Sequence, residues 1–218
     1  MALGTATDAY ELRFGAGRIC LDLLATTHPD ERLDSVEVLC TWITRSGLVP
    51  PGTPLTHAGA EWLVRFRELR ARVDQLVRGS LGPVSEVAPA GRTTPLPTQA
   101  LAPEPRPSYD LALAQVNDLA RAAPPAPCAV RGEDGALVRR LDHPPECAAL
   151  LGAVARDALE LLTDPVARAG LRECEGDNCP IVYLDTSRGR RRRWCSSEVC
   201  GNRERVARHR RRAALARA

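Results

Sequence analysis

A chain of 218 residues and 23.6 kDa has room for one compact domain with a small appended module, or for two modest domains, which argues against a multidomain enzyme. Hydrophobic residues at 44% suffice for a core and exclude a chain disordered throughout, while aromatics at 4% leave Ala and Leu to do most of the filling. All 30 basic residues are Arg, and a net charge of +3 conceals a lopsided chain: 18 Arg stand against 25 acids through Asp185, whereas residues 186–218 hold 12 Arg against 2 acids. A basic tail on an acidic body points to a polyanion as its partner, nucleic acid or an anionic membrane surface.

The first residues lack the charged and apolar stretches of a signal peptide, and no apolar run approaches the roughly 18 residues that span a bilayer. A cytoplasmic protein with no membrane partner is expected. Its eight cysteines then suit metal binding or isolated thiols rather than disulfides.

Residues 10–27 pair a Gly-punctuated half with an apolar half and read as a hairpin, or as a strand and turn leading into a buried strand. Gly15 and Gly17 precede the apolar run and have no third Gly, so a turn fits better than a dinucleotide site. Asp34 and Ser35 cap a short helix carrying Val36, Val38, Leu39, Trp42 and Ile43, stopped by Ser46-Gly47. Over residues 57–79, Trp62, Leu63, Phe66, Leu69, Val73, Leu76 and Val77 recur at helical spacing, predicting an amphipathic core helix of about six turns. Residues 81–107 hold seven Pro and few large apolar side chains, the composition of a flexible insertion. Helical spacing resumes over 109–122. Glu133-Asp134-Gly135 then separates two strand-like runs within 128–141, a hairpin signal. An Ala- and Leu-rich central helix covers 147–162, Thr163-Asp164-Pro165 ends it, and a short helix follows. The expected body is a set of helices on a small sheet made by the early strand and the later hairpin.

The strongest signal begins at Cys174. Cys174 and Cys179 are separated by four residues, fifteen follow, and Cys195 and Cys200 repeat the gap of four. Two such loops can each bring both sulfurs to about 2.3 Å from one Zn²⁺. Between the pairs, residues 181–184 read as a strand, 185–189 as a turn and 191–194 as a return strand. The second pair opens an Arg-rich helix, giving a treble-clef-like order. Chance proximity of four thiols and an iron–sulfur cluster are the other readings of the same spacing. With no His or carboxylate in the set, one structural zinc is preferred.

Asp185-Thr-Ser-Arg188, Arg193-Trp194-Cys195 and Cys200-Gly201-Asn202-Arg203 resemble the CGNR zinc finger. Upstream, Arg18-Ile-Cys-Leu-Asp-Leu-Leu-Ala-Thr26, Leu39-Cys-Thr-Trp42 and Ser46-Gly-Leu48 resemble the ABATE domain that precedes it. The resemblance covers nearly the whole chain except the Pro-rich insertion. It implies a bacterial stress-induced transcription regulator with the four cysteines as zinc ligands. Ala25 stands where the pattern leads one to expect Asn, and Ser197 where a larger apolar residue is common.

Arg188, Arg190, Arg191, Arg192 and Arg193 fall on the expected finger hairpin, and Arg203, Arg205, Arg208, Arg210, Arg211 and Arg212 on the following helix. Guanidinium groups bind phosphate bidentately and read guanine edges, and Asn202 can read adenine. A solvated basic tail is the plainer alternative. Trp194, next to a ligand, is read as packing over the metal site rather than stacking on a base. His28, His57, His143 and His209 are scattered and there is no phosphate loop, so no catalytic residue is assigned and no enzyme is expected.

These readings converge on a mostly helical α+β protein. Residues 8–170 form a domain that senses a small-molecule effector or self-associates, as in a homodimer, and residues 171–218 form a zinc finger with a basic C-terminal helix. The expected function is DNA-binding transcription regulation. An RNA-binding accessory protein and a module gripping an acidic protein partner are the rival readings.

Overall fold

A computed structural model describes residues 12–81 and 107–215; the expected Pro-rich insertion at 81–107 lies, but for its two end residues, outside them. The chain is mostly helical α+β. Helix α1 (Ile19–Leu24) runs into a 3-10 turn (Ala25–Thr27), followed by α2 (Val36–Arg45), α3 (Ala60–Ser80) and α4 (Pro107–Leu119). A hairpin of β1 (Pro127–Arg131) and β2 (Leu137–Leu141) leads to α5 (Cys147–Thr163) and α6 (Pro165–Arg168). Strands β3 (Leu171–Glu173) and β4 (Val182–Leu184) then precede α7 (Cys200–Leu215).

The long helices form where the 3.6-residue period demanded them. The Ser35 hydroxyl accepts the Val38 N–H at the start of α2, satisfying one of the donors left open at a helix N-terminus. Helix α3 buries Trp62, Phe66, Leu69, Val73 and Leu76 along one stripe, and Phe66 meets Trp42 of α2 edge-to-face at 5.9 Å. Helix α5 buries Leu150, Leu151, Val154, Ala155, Ala158 and Leu161 on more than one face, as a helix packed against α1, α3 and α4 must.

Three expectations fail. The run around Cys20 is helical, not extended: α1 buries Cys20, Leu21, Leu23 and Leu24. A six-residue apolar stretch buried on several sides carries no period, so the sequence alone does not separate helix from strand. What fixes it lies far along the chain, where Asp157 of α5 accepts the Cys20 N–H at 2.8 Å and meets the Arg18 guanidinium at 2.8 Å. Consequently, among the described residues, the early run does not join the later hairpin in a sheet. Strands β1 and β2 pair antiparallel, with Val130 opposite Val138, and stand apart as a largely exposed ribbon. Finally, residues 191–194 form irregular backbone rather than a return strand. The partner of β4 is β3, from upstream of the first cysteine, with Arg172 opposite Tyr183.

The two halves share one hydrophobic core. Leu171, Ile181, Val182, Tyr183 and Leu184 are buried in the same cluster as Leu12, Ala16 and Leu21. The Leu184 N–H donates to the Ala16 carbonyl at 2.7 Å. Gly17 makes this approach possible: its φ is +96°, and a Cβ there would lie 3.0 Å from the Leu184 Cβ. Arg78 of α3 adds a link, meeting Glu173 at 3.2 Å and donating to the Pro180 carbonyl at 3.0 Å.

Candidate metal centre and arginine surface

Strand β3 delivers Cys174 to the site, where its N–H donates to the Ile181 carbonyl at 3.0 Å. The chain reverses through Asn178, at a φ of 55°, and the Cys179 N–H donates to the Gly176 carbonyl at 3.1 Å. Cys195 arrives from the loop after β4, and Cys200 opens α7. All four are buried, with sulfurs within 4.8 Å of one another; Cys179 and Cys195 are 3.7 Å apart, Cys195 and Cys200 3.6 Å.

These spacings discriminate between chemistries. A disulfide needs about 2.05 Å between sulfurs. A tetrahedral zinc with four arms of about 2.3 Å places its sulfurs about 3.8 Å apart. The surroundings also suit thiolates: Cys174 Sγ accepts backbone N–H groups from Gly176 at 3.4 Å and Cys195 at 3.3 Å. At Gly176 a Cβ would come within 3.1 Å of the Cys200 Cβ and 3.4 Å of two of the sulfurs, so a side chain there would crowd the knuckle. The four cysteines fit one structural zinc ion.

The thiols by themselves share protons unequally. Hydrogen bonding from Cys195 holds the Cys179 thiol down, and the same bond, with burial, pushes Cys195 up. Burial raises Cys200 as well. A bound dication supplies the charge that lets all four ionise together, releasing protons as it binds.

The loop joining β4 to Cys195 is organised from within. Asp185 is only 2% exposed, and its carboxylate accepts the Ser187 N–H at 2.9 Å and the Arg192 N–H at 3.0 Å. Bonds from the Ser187 hydroxyl and these N–H groups hold it below the usual carboxylate range. Tyr183 is fully buried and donates its hydroxyl to the Arg192 carbonyl. The Arg192 guanidinium lies 4.6 Å over the Tyr183 ring and donates to the Trp194 carbonyl at 2.8 Å and to the Cys195 carbonyl.

The arginines singled out from the sequence therefore divide. Arg192 is half-buried and spends its guanidinium on the loop itself. Arg193 pairs with Glu175 at 2.6 Å and lies over Trp194. Arg205 donates to the Gly201 and Ser197 carbonyls, and Arg211 pairs with Glu204 at 2.9 Å. Arg188, Arg190 and Arg191 on the loop, and Arg203, Arg208, Arg210 and Arg212 on α7, are exposed and make no ion pair among the described residues. Asn202 is exposed beside Arg203. Trp194 is half-buried with its ring against Gly201 at the start of α7, which is packing beside the metal cluster. Sequence reasoning placed Asp185 in the turn and in the finger pattern but not its carboxylate's hold on the Ser187 and Arg192 N–H groups, and it did not single out the Tyr183 side chain. Nothing local to Arg78 or Asp157 announces their bonds to Glu173, Pro180 and Cys20.

A helical body continuous with a small four-cysteine module that closes on one zinc ion defines a zinc-finger protein. Residues 17–165 match the family described as "Putative stress-induced transcription regulator", ABATE, and residues 171–213 match the CGNR zinc finger. The chain belongs to the ABATE family and carries a CGNR finger behind that domain. Neither family is described as an enzyme. No curated protein matches the chain. Among the described residues, no helix is long and apolar enough to cross a membrane.

Proposed function

We propose that the chain is a DNA-binding transcription regulator of the cytoplasm, in which residues 8–170 form the regulatory part and residues 171–218 the binding part. The observation that carries this reading is the set of seven arginines, Arg188, Arg190, Arg191, Arg203, Arg208, Arg210 and Arg212, exposed on two elements that meet at the metal site. They make no ion pair among the described residues. Zinc fixes the start of α7, and guanidinium groups neutralise backbone phosphates. Arg203 and Asn202, in the first turn of α7, are the residues proposed to reach base edges, each contributing about 1–3 kcal/mol of discrimination. Arg205, held by the Gly201 and Ser197 carbonyls, is a weaker candidate for that role.

Fluorescence anisotropy of the zinc-loaded full chain against a duplex DNA, an RNA hairpin and polyglutamate tests the assignment. Tightest binding to the duplex is expected. Tighter binding to RNA makes the protein an RNA-binding accessory factor, tighter binding to polyglutamate makes the finger a grip for acidic proteins, and either result overturns the proposal.

A further inference from the structure

A groove of about 740 Å³ runs between the body and the finger. That volume lies within the range of small-molecule sites, which are commonly found where two parts of a chain meet. Its apolar surface comes from Leu12, Ala16, Ala25 and Ile181. Arg32 lines it, and further positive charge comes from three separate stretches of chain: Arg13 ahead of α1, Arg45 at the end of α2, and Arg203 on α7.

None of these three arginines makes an ion pair among the described residues. The Nη1 of Arg13 is buried and has no hydrogen-bond partner among the described residues. A buried guanidinium nitrogen left without an acceptor costs free energy that an incoming anion recovers. Arg45 lies 4.9 Å over the Phe14 ring, which holds its charge at the groove. The acids along the groove, Asp22, Asp30 and Glu198, offset only part of the charge of its four arginines. Asp22 Oδ1 is already taken by the Gly15 and Ala16 N–H groups, at 2.9 and 2.8 Å, and burial raises its carboxyl to about 6. Asp30 and Glu198 are exposed.

We propose that this groove binds a small organic anion, its phosphate or carboxylate held by Arg13, Arg45 and Arg203 and its body lying on the apolar surface around Ala25 and Ile181. Because Asn202 and Arg203 belong both to the groove and to the first turn of α7, an occupant sits where the body could govern how the finger presents its arginines. The site supplies the effector position that the proposed regulatory role calls for, yet its occupancy can be measured without nucleic acid.

Isothermal titration of the zinc-loaded full chain with AMP and with citrate, adenosine serving as the uncharged control, tests the proposal. One-to-one binding of at least one anion, with none of adenosine, is expected, and the anion that binds identifies phosphate or carboxylate as the recognised group. Arg13→Gln and Arg45→Gln should each weaken it about tenfold, the effect of losing one charged hydrogen bond. Arg121→Gln, on an exposed side chain outside the groove, should leave it unchanged. Absence of saturable binding by both anions up to 10 mM, equal binding of adenosine, or unchanged affinity in both groove variants overturns the proposal.

Discussion

Arg192 and Arg191 are neighbours of the same type with opposite roles. The Arg192 guanidinium is spent on the Trp194 and Cys195 carbonyls and on the Tyr183 ring, while Arg191 is exposed. Replacing Arg192 by Gln strands those carbonyls and should destabilise the protein by about 1–3 kcal/mol and loosen zinc. Arg191→Ala should leave the melting temperature unchanged and weaken DNA binding. Thermal melts with a colorimetric zinc assay read the first effect, and anisotropy the second. Asp22 offers a separate test. Its folded carboxyl, raised by burial to about 6 against an ordinary 3.8, binds a proton more readily than in the unfolded chain. Its contribution to stability therefore falls as pH rises from about 4 through 6. Asp22→Asn keeps the Oδ1 acceptor for Gly15 and Ala16, and should stabilise the protein by about 1–3 kcal/mol at pH 7 while flattening that part of the pH profile. Denaturant melts of both forms at pH 4.5 and 7 check this; an unchanged difference between the two pH values contradicts the account of Asp22.

At the scale of elements, α7 is unlike the others. From Cys200 to Arg212 it buries only Cys200 and Gly201, so it projects from the metal site as a helix that is polar all round. Arg208 and Arg212 are one turn apart, and their mutual repulsion gives the isolated helix nothing. Changing both to Ala should leave the melting temperature intact and reduce the log–log salt slope of DNA binding by about 2. An undiminished slope removes this face of α7 from the interface. Elements with a clear helical period or paired cysteines were legible in the sequence: α2, α3, α5, the ribbon of β1 and β2, and the four-cysteine set. The misread segments owe their shape to distant partners. Helix α1 is short and uniformly apolar and takes its register from Asp157, and the stretch before Cys195 is held irregular by Asp185 and Arg192. The strand that does pair with β4 lies upstream of the metal site, where three residues give almost no pattern to read.

On the scale of the whole molecule, the charge division visible in the sequence does not coincide with a mechanical one. The acidic body and the finger share a core through Leu171, Tyr183 and Leu184, the Ala16 to Leu184 bond and the Arg78 contacts. Metal removal should therefore reach the body. Structural zinc contributes on the order of 10–16 kcal/mol to the folding of isolated finger peptides. Chelation is expected to lower the melting temperature of the helical signal as one transition. A helical signal that melts unchanged after chelation contradicts the shared core.

Phosphate neutralisation by the finger's exposed arginines is read most directly from the salt dependence of duplex DNA affinity for the zinc-loaded chain. If six or seven of them meet phosphates, log K against log salt concentration should fall with a slope of about −5 to −6. A slope near zero would contradict the account.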